Sequence, residues 1–482
     1  MNPHRKIKTL GELRESGYAP RSVREEIRGN LIARMETGQP MFPGLVGYDH
    51  TVIPRLENAL LAGHDIILLG QRGQGKTRLI RALVSLLDED MPIIRGSEVN
   101  DSPFHPISRY GQETLADRQD RMDIEWVPRQ RRYTEKLATP DTTISELIGE
   151  VDPVKVAEGR YLSDELTIHF GLVPRANRGI FAINELPDLS ERVQVGLFNI
   201  LEERDLQIKG YKIQLPLDIL VVATANPEDY TNRGRIITPL KDRYAAHLNT
   251  HYPLTRAIEM EIVEREAALQ ARGGRPVEMP RFLQEVVSEI TFQARASHDV
   301  NQLSGVSVRM SIANMESLVS NAEKRALRLK EPAIAPRLSD LHAILASTEG
   351  KLELEYSGQD KTMTDVVNEL MEQAVLTVFN ERLDAAEMDE LVGAFRDGWW
   401  VEVSDELPGA DYRQMAGRLP GAANLLAQLG VDVDSPHLPA ALEFLLEGLY
   451  LNDRLHRELV DGKTTYHEAQ KIQPLDPRPD MA

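Results

Sequence analysis

Between Asp65 and Ile80 the chain reads DIILLGQRGQGKTRLI, with Gly70, Gly75, Lys76 and Thr77 in the spacing G-x4-G-K-T. Residues of these types at this spacing can hold a polyphosphate. Gly70, Gly73 and Gly75 let the backbone turn tightly and aim its N–H groups at phosphate oxygens. The Lys76 ammonium can reach the β- and γ-phosphates, and the Thr77 hydroxyl is an oxygen donor suited to Mg2+. The flanks agree. Ile66 to Leu69 is a short apolar run of the kind that makes a buried strand, and TRLIRALVSLL from Thr77 has helical spacing, with Leu79, Ile80, Leu83 and Leu86 on one side. The phosphates would then lie at a helix N-terminus. A nucleoside triphosphate, ATP with Mg2+, is the expected ligand.

Two later strand ends carry matching chemistry. The apolar run Gly179 to Ile183 ends in Asn184-Glu185. In P-loop enzymes the strand expected next to the P-loop strand ends in an acidic pair, the first member holding the Mg2+ hydration shell and the second polarising the attacking water. Glu185 has the type and place of that general base, although a glutamate after an apolar run is also an ordinary strand end. Asn184 keeps an acceptor oxygen but lacks the charge. Asp188, four residues on, could offset the loss or open a helix. The run Asp218 to Ala223 ends in Thr224-Ala225-Asn226-Pro227. Asn226 at such a tip can bond the γ-phosphate or its water, or serve as a turn residue before proline. Arg243, in PLKDRY, could reach a phosphate on a neighbouring subunit.

The elements that must position these residues are legible in outline. A helix is expected over Pro20 to Thr37, and a turn at Gly44 and Gly47 leads into an amphipathic helix with Val52, Leu56, Leu60 and Leu61 apolar. Residues 92–140, punctuated by Pro103, Pro106, Pro128 and Pro140, read as an irregular insertion with some strand near Met122 to Val127. Val193 to Glu203 reads as a helix, and Lys209-Gly210 as a hairpin turn. After Pro253 the pattern is helical: LTRAIEMEIVEREAALQA, FLQEVVSEITFQARA, then a helix to about Leu329 with Ser307 as its N-cap. Helical segments continue beyond Pro332, notably Asp365 to Leu383 and Ala440 to Glu458. Strands alternating with helices up to about residue 250 indicate an α/β parallel sheet, and the helical stretch after it a separate lid. Four segments follow: 1–40, an N-terminal helical extension; 41–252, the nucleotide-binding domain; 253–350, a helical lid; and 351–482, an acidic helical C-terminal region.

Bulk properties narrow the function classes. The net charge of the 482 residues is −19, of which −15 falls in residues 351–482 and −4 before them. Broad affinity for nucleic acid, which rests on Lys and Arg at phosphates, is not expected. The densest basic patch, Arg129, Arg131 and Arg132, reads as a solvated loop. There is no cysteine, which excludes disulfides and thiolate chemistry, and the twelve histidines show no HExxH pattern. No apolar run approaches the ~20 residues that span a bilayer. MNPHRKIKTLGELRES at the start lacks a hydrophobic segment, so a cytoplasmic location is expected.

The order P-loop, insertion, ANRGIFAINEL, helix, hairpin, ATANPED, PLKDRY, SVRMSI resembles the AAA+ ATPases, and within them the magnesium chelatase ATPase-subunit (chelatase/MoxR-like) family, over roughly residues 42–330. Ile148-Gly149-Glu-Val-Asp152 followed by Gly171-Leu-Val-Pro-Arg-Ala-Asn177-Arg-Gly179 is similar to a segment specific to chelatase-like members. The resemblance implies a helix-2 insert at about 150–172 and a pre-sensor-1 insert near Gly210. It also implies roles. Lys76 and Thr77 would be Walker A, with Val46, Gly47, Gly70, Arg72, Gly73, Gln74, Gly75 and Arg78 completing the nucleotide contacts. Asn184 and Glu185 would be Walker B, Thr77 and Asn184 facing Mg2+. Asn226 would be sensor 1, Arg243 an arginine finger acting in trans, and Arg309 the sensor 2 arginine. A finger in trans implies a homo-oligomeric, hexameric ring. The family further implies an ATP-driven motor acting on a protein partner, commonly one with a von Willebrand A domain, with the region from Lys351 as the candidate adaptor surface. Three readings compete. One is a nucleotide-gated scaffold with little hydrolysis because of Asn184, for which Asn184→Asp is the discriminating change. Another is a DNA-directed motor. The third, an activator of alternative-sigma-factor transcription, needs a GAFTGA loop in the core. The near match Gly393-Ala394-Phe395 lies outside it.

Overall fold

The computed structural model describes residues 6–152, 165–205, 215–226, 234–269, 274–355, 361–384, 388–460 and 463–468. The expected hairpin turn at Lys209-Gly210 and the middle of the expected helix-2 insert lie outside the described residues. The chain divides into two compact units, 1–251 and 252–482.

Five parallel strands organise the first unit: β1 (Ile66–Leu69), β2 (Tyr133–Leu137), β3 (Gly179–Asn184), β4 (Ile219–Ala225) and β5 (Ala246–Asn249), in the order β2-β3-β4-β1-β5. The inner strands are apolar throughout because both faces of the sheet are covered. Ile180 and Ala182 of β3 and Leu220 and Val222 of β4 pack with helices α1 (Val23–Thr37), α2 (Val52–Leu61) and α3 (Lys76–Ala82). Phe181, Ile183, Val221 and Ala223 enter a second core on the opposite face. Leu83 and Leu86, expected to continue α3, are buried as expected but lie in a 3-10 turn, Leu83–Leu86.

Two expectations about this sheet are corrected. The strand ending in Asn184-Glu185 does not neighbour the P-loop strand; β4 lies between them. The stretch read as an irregular insertion supplies β2, the edge strand beside β3. An edge strand pairs along one side only, so YTEKL can be polar and still belong to the sheet. Within the same stretch Asp90–Ile94 pairs antiparallel with Ile124–Pro128, which accounts for the strand expected near Val127.

Two sets of buried ion pairs brace the sheet, since an unpaired buried charge costs far more than it returns. Asp65, at the entry to β1, accepts from the Val221 N–H at 2.9 Å and from Arg24 at 2.8 Å, and is paired with Arg204. Arg132, expected in a solvated loop, is 1% exposed. Its guanidinium spans Glu26 of α1 at 2.7 and 2.5 Å and donates to the Arg178 carbonyl at 2.9 Å. Val23, Ile27 and Leu31 of α1 pack into the first unit's core.

In the second unit helices α4 (Arg256–Glu266), α5 (Arg281–Ala296), α6 (Arg309–Leu329), α7 (Met363–Arg382) and α8 (Leu438–Leu451) contribute to one continuous core. Residues on both sides of position 350, such as Val286 and Val375, share that core. Two local expectations change. The cap of α6 is Val308, and the Ser307 hydroxyl accepts the Arg309 N–H at 3.1 Å. The helix expected to Glu458 stops at Leu451, and a three-stranded antiparallel sheet follows from Val401–Val403, Leu455–Val460 and Lys463–Glu468. From Leu455 to Glu458 exposure alternates, Leu455 buried, His456 exposed, Arg457 half-buried and Glu458 exposed, which is the two-residue period of a strand. Among the described residues no helix is long and apolar enough to cross a membrane.

The Glu26–Arg132 pair gives a direct test of this packing. Glu26→Ala leaves a buried guanidinium without its carboxylate and is expected to destabilise the first unit by ~3–5 kcal/mol in urea unfolding. A cost below ~1 kcal/mol would show that Arg132 is solvated, as a surface pair would be.

Candidate nucleotide site

Strand register brings the chemistry to one edge. Leu69 of β1 stands level with Ala225 of β4, and Ile183 of β3 level with Ala223, so the three strands end together at their C-terminal tips. The P-loop leaves β1 there and opens α3. Gly73 and Gly75 have φ of 74° and 71°, a region side chains avoid. At Gly70 space decides instead: a Cβ would meet Thr250 Oγ1 at 2.0 Å and Gln74 Oε1 at 2.2 Å, two atoms that bond each other at 2.7 Å. The loop is thereby closed against the end of β5. From the other side the Val46-Gly47 turn delivers Tyr48, whose hydroxyl is bonded to the Gln74 carbonyl and lies 3.0 Å from that of His251. Lys76 is buried, its ammonium donating to the carbonyls of Gly70 and, at 2.9 Å, Gln71. Thr77 is half-buried beside it, and Arg72 and Arg78 are exposed.

Asn184, Glu185 and Asn226 lie at the same edge. Asn184 ends β3 and is buried, and Asn226, also buried, follows β4. Glu185 adopts the left-handed conformation, φ 55° and ψ 50°, with its N–H donated to Thr224 Oγ1 at 3.0 Å. A non-glycine residue held there is strained by about 1–3 kcal/mol, a cost that concentrates at functional positions.

Sequence reasoning missed Glu135. Asn184 Nδ2 donates to Glu135 Oε1 at 2.5 Å, and Arg81 of α3 grips the same carboxylate at 2.9 and 3.1 Å, with the Tyr133 hydroxyl at 2.9 Å. Burial pushes the Glu135 carboxyl up, but the hydrogen bonds from Arg81, Tyr133 and Asn184 outweigh it and hold the group below its usual value. Burial and the neighbouring Glu135 push the Tyr133 phenol up, which keeps it a donor. No signal in the sequence marked Glu135, because its strand was not visible there. Asp188, weighed as a substitute acid, ends a 3-10 turn, Leu186–Asp188, and does not open a helix.

Comparison with known proteins finds several similar chains. A Sigma-54 interaction domain model matches residues 156–243, which hold Asn184, Glu185, Asn226 and Arg243. The magnesium-chelatase subunit ChlI of Nostoc sp. is 25% identical over 259 residues, covering 52% of this chain and 63% of that protein. The ChlI subunit of Cyanidium caldarium is 27% identical over 288 residues, covering 52% of this chain and 75% of that one. By these matches the chain is similar to AAA+ proteins of the magnesium-chelatase type over about half of its length. Among solved structures, a complex of the magnesium chelatase subunits BchI and BchD aligns at 17% identity over 68% of this chain and 98% of that one, with a TM-score of 0.34. NtrX from Brucella abortus with ATP aligns at 14% identity over 76% of this chain and 69% of that one, with a TM-score of 0.39.

Of the two arginines expected to act on phosphate, Arg243 belongs to the first unit and Arg309 to the second. Arg243, at the end of the short helix Thr238–Arg243, is paired with Glu202 (Nε 2.8 Å), donates to the Pro239 carbonyl at 2.7 Å and lies 4.5 Å over the Phe198 ring. Arg309 is exposed in the first turn of α6, in the second unit. The donors at the edge suit a hard divalent cation: the Thr77 hydroxyl and Asn184 carboxamide offer oxygens, as Mg2+ prefers, and no thiolate competes.

The strain at Glu185 is measurable. Glu185→Gly removes it and is expected to leave stability unchanged or raise it by about 1 kcal/mol. A clear loss of thermal stability would mean that contacts of the Glu185 side chain outweigh the backbone strain.

Proposed function

We propose that this chain binds ATP with Mg2+ at the C-terminal edge of the sheet and hydrolyses it as one subunit of a hexameric AAA+ ring, using the cycle to remodel or activate a protein partner. The observation that carries the reading is the convergence of Lys76, Thr77, Asn184, Glu185 and Asn226, spread over 150 residues of sequence, on three strand tips that end level, with Glu185 strained among them. In this reading the P-loop N–H groups and Lys76 hold the β- and γ-phosphates. Thr77 and Asn184 offer oxygens to Mg2+, which when bound neutralises charge on the phosphates. Glu185 takes the proton of the attacking water, and Asn226 orients that water or the γ-phosphate.

Arg243 is assigned to a neighbouring subunit's site. Its present partner, Glu202, is 55% exposed, so a phosphate could take the carboxylate's place with the same sign of charge. Arg309 keeps the sensor 2 role. Residues 41–252 would form the nucleotide-binding domain, 253–350 the lid, and 351–482, with its −15 net charge, the surface for a partner carrying a von Willebrand A domain. A cytoplasmic location belongs to the same proposal. Asn184 favours one second reading, a ring that binds ATP and assembles but scarcely turns over.

The deciding experiment follows Mg2+-dependent ATPase rate per subunit across protein concentration. A rate that climbs steeply and saturates is expected, since sites completed between subunits exist only in the assembly. A flat, near-zero rate beside clear ATP binding selects the scaffold. Lys76→Ala is expected to abolish binding. Glu185→Gln is expected to keep binding and lower turnover by about 100-fold or more, and a parental rate in Glu185→Gln would remove Glu185 as the base. Mixtures of Arg243→Ala and Lys76→Ala subunits are expected to recover activity that neither shows alone. No recovery at any ratio would place the finger elsewhere.

A further inference from the structure

At position 184, where the nucleotide reading calls for an acid, the chain has an amide, and the nearest carboxylate belongs to another strand. Glu135 is level with Ala182, two residues before Asn184, so both side chains leave the sheet on the face that packs α3. There Asn184 Nδ2 donates to Glu135 Oε1 at 2.5 Å. An ionised carboxylate only accepts, so of the two ends of a carboxamide only the NH2 can face it. That choice settles the other end. Asn184 Oδ1 turns toward β4, 3.4 Å from Thr224 Oγ1, and β4 is the strand that borders β1 and its P-loop. Thr224 stands level with Leu68 and also accepts the Glu185 N–H. Arg81, one turn into the helix that the P-loop opens, holds the far side of Glu135.

We propose that Glu135 is a positioning residue of the nucleotide–cation site: it locks the Asn184 carboxamide with its oxygen toward the P-loop side, and it carries the negative charge that position 184 lacks. The proposal rests on the ATP–Mg2+ reading of the site. Asn184 is then the residue its partner requires. An aspartate at 184 would set two carboxylates in contact and exchange a hydrogen bond for like-charge repulsion. The sequence alone suggests that Asn184→Asp restores a missing acid; beside Glu135 the same change is expected to harm the site unless Glu135 is neutralised with it. If Glu135 served only as a partner for Arg81, changes at 135 and 184 would act independently.

The test is a cycle of four proteins, the parent, Glu135→Gln, Asn184→Asp and the double variant, each titrated with a fluorescent ATP analogue in Mg2+ and again in EDTA, with thermal unfolding of each recorded. Asn184→Asp alone is expected to weaken binding in Mg2+ by about tenfold, within the range of coupling between contacting groups. Glu135→Gln with Asn184→Asp, in which the Gln amide donates to the new carboxylate, is expected to return affinity to within about threefold of the parent. Affinity in EDTA is expected to be the same in all four. Tighter Mg2+-dependent binding by Asn184→Asp alone, or a double variant no better than the worse single one, overturns the proposal. Should Asn184→Asp fail to fold, Asn184→Ala serves: with the amide gone, Glu135→Gln is expected to change Mg2+-dependent affinity by clearly less than it does in the parent, because only its charge is then lost, and an equal effect in both backgrounds overturns the positioning role. A parent that binds no ATP would overturn the underlying reading instead, which separates the two failures.

Discussion

The register of the parallel sheet is the constraint on which the site depends. Asn184 and Thr224 lie side by side, and the P-loop begins within a residue of the same level, because β4 pairs on one side with β3 and on the other with β1 in fixed register. Side chains alternate along each strand, so a slip of one residue would send Asn184 and Thr224 into the opposite core and bring Ile183 to the site face. Such a slip would push the polar Asn184 and Thr224 side chains into an apolar core and lose their hydrogen bonds, which makes it costly. A hydrophobic core thus sets the position of the polar cluster at its edge.

The two ends of the sheet are stabilised differently. At the entry end, buried ion pairs hold the elements together: Asp65 with Arg24 and Arg204, and Glu26 with Arg132, tying α1 and the β4 entry to the sheet. At the exit end the backbone is held in conformations that side chains disfavour, at Glu185 and through the glycines of the P-loop. Strain of this kind persists only where surrounding structure over-determines it. The braces at one end and the two cores along the strands supply that rigidity for the loops at the other.

Charge at the site is distributed over strands instead of being concentrated in one motif. Arg81 from α3, Glu135 from β2 and Asn184 from β3 form a chain of hydrogen bonds that links the P-loop helix to the tip of β3. Movement of α3 would therefore be felt at Asn184 through two side chains. Arg243, by contrast, is held locally by Glu202 and Phe198, at a distance in the chain from the P-loop elements.

The sequence by itself determined what depends on local spacing. The P-loop is a contiguous phosphate cradle, so Gly70 to Thr77 were readable directly, as were the apolar runs of β1, β3 and β4, since strands buried on both faces are apolar throughout. Asn184, Glu185 and Asn226 could be singled out as strand-end residues. Tertiary structure decided what depends on pairing. The edge strand β2 is polar because one side bears no partner strand, so it resembled a loop, and with it Glu135 was hidden and Arg132 was taken for a surface charge. The insertion of β4 between β3 and β1 leaves no mark in either strand's residues. The helix expected over Ala440 to Glu458 overruns into the strand Leu455–Val460 because Leu438–Leu451 is strongly helical and the strand after it carries polar residues on its outer face. In each case the missing information was which strand lies beside which, a long-range fact that no window of sequence contains.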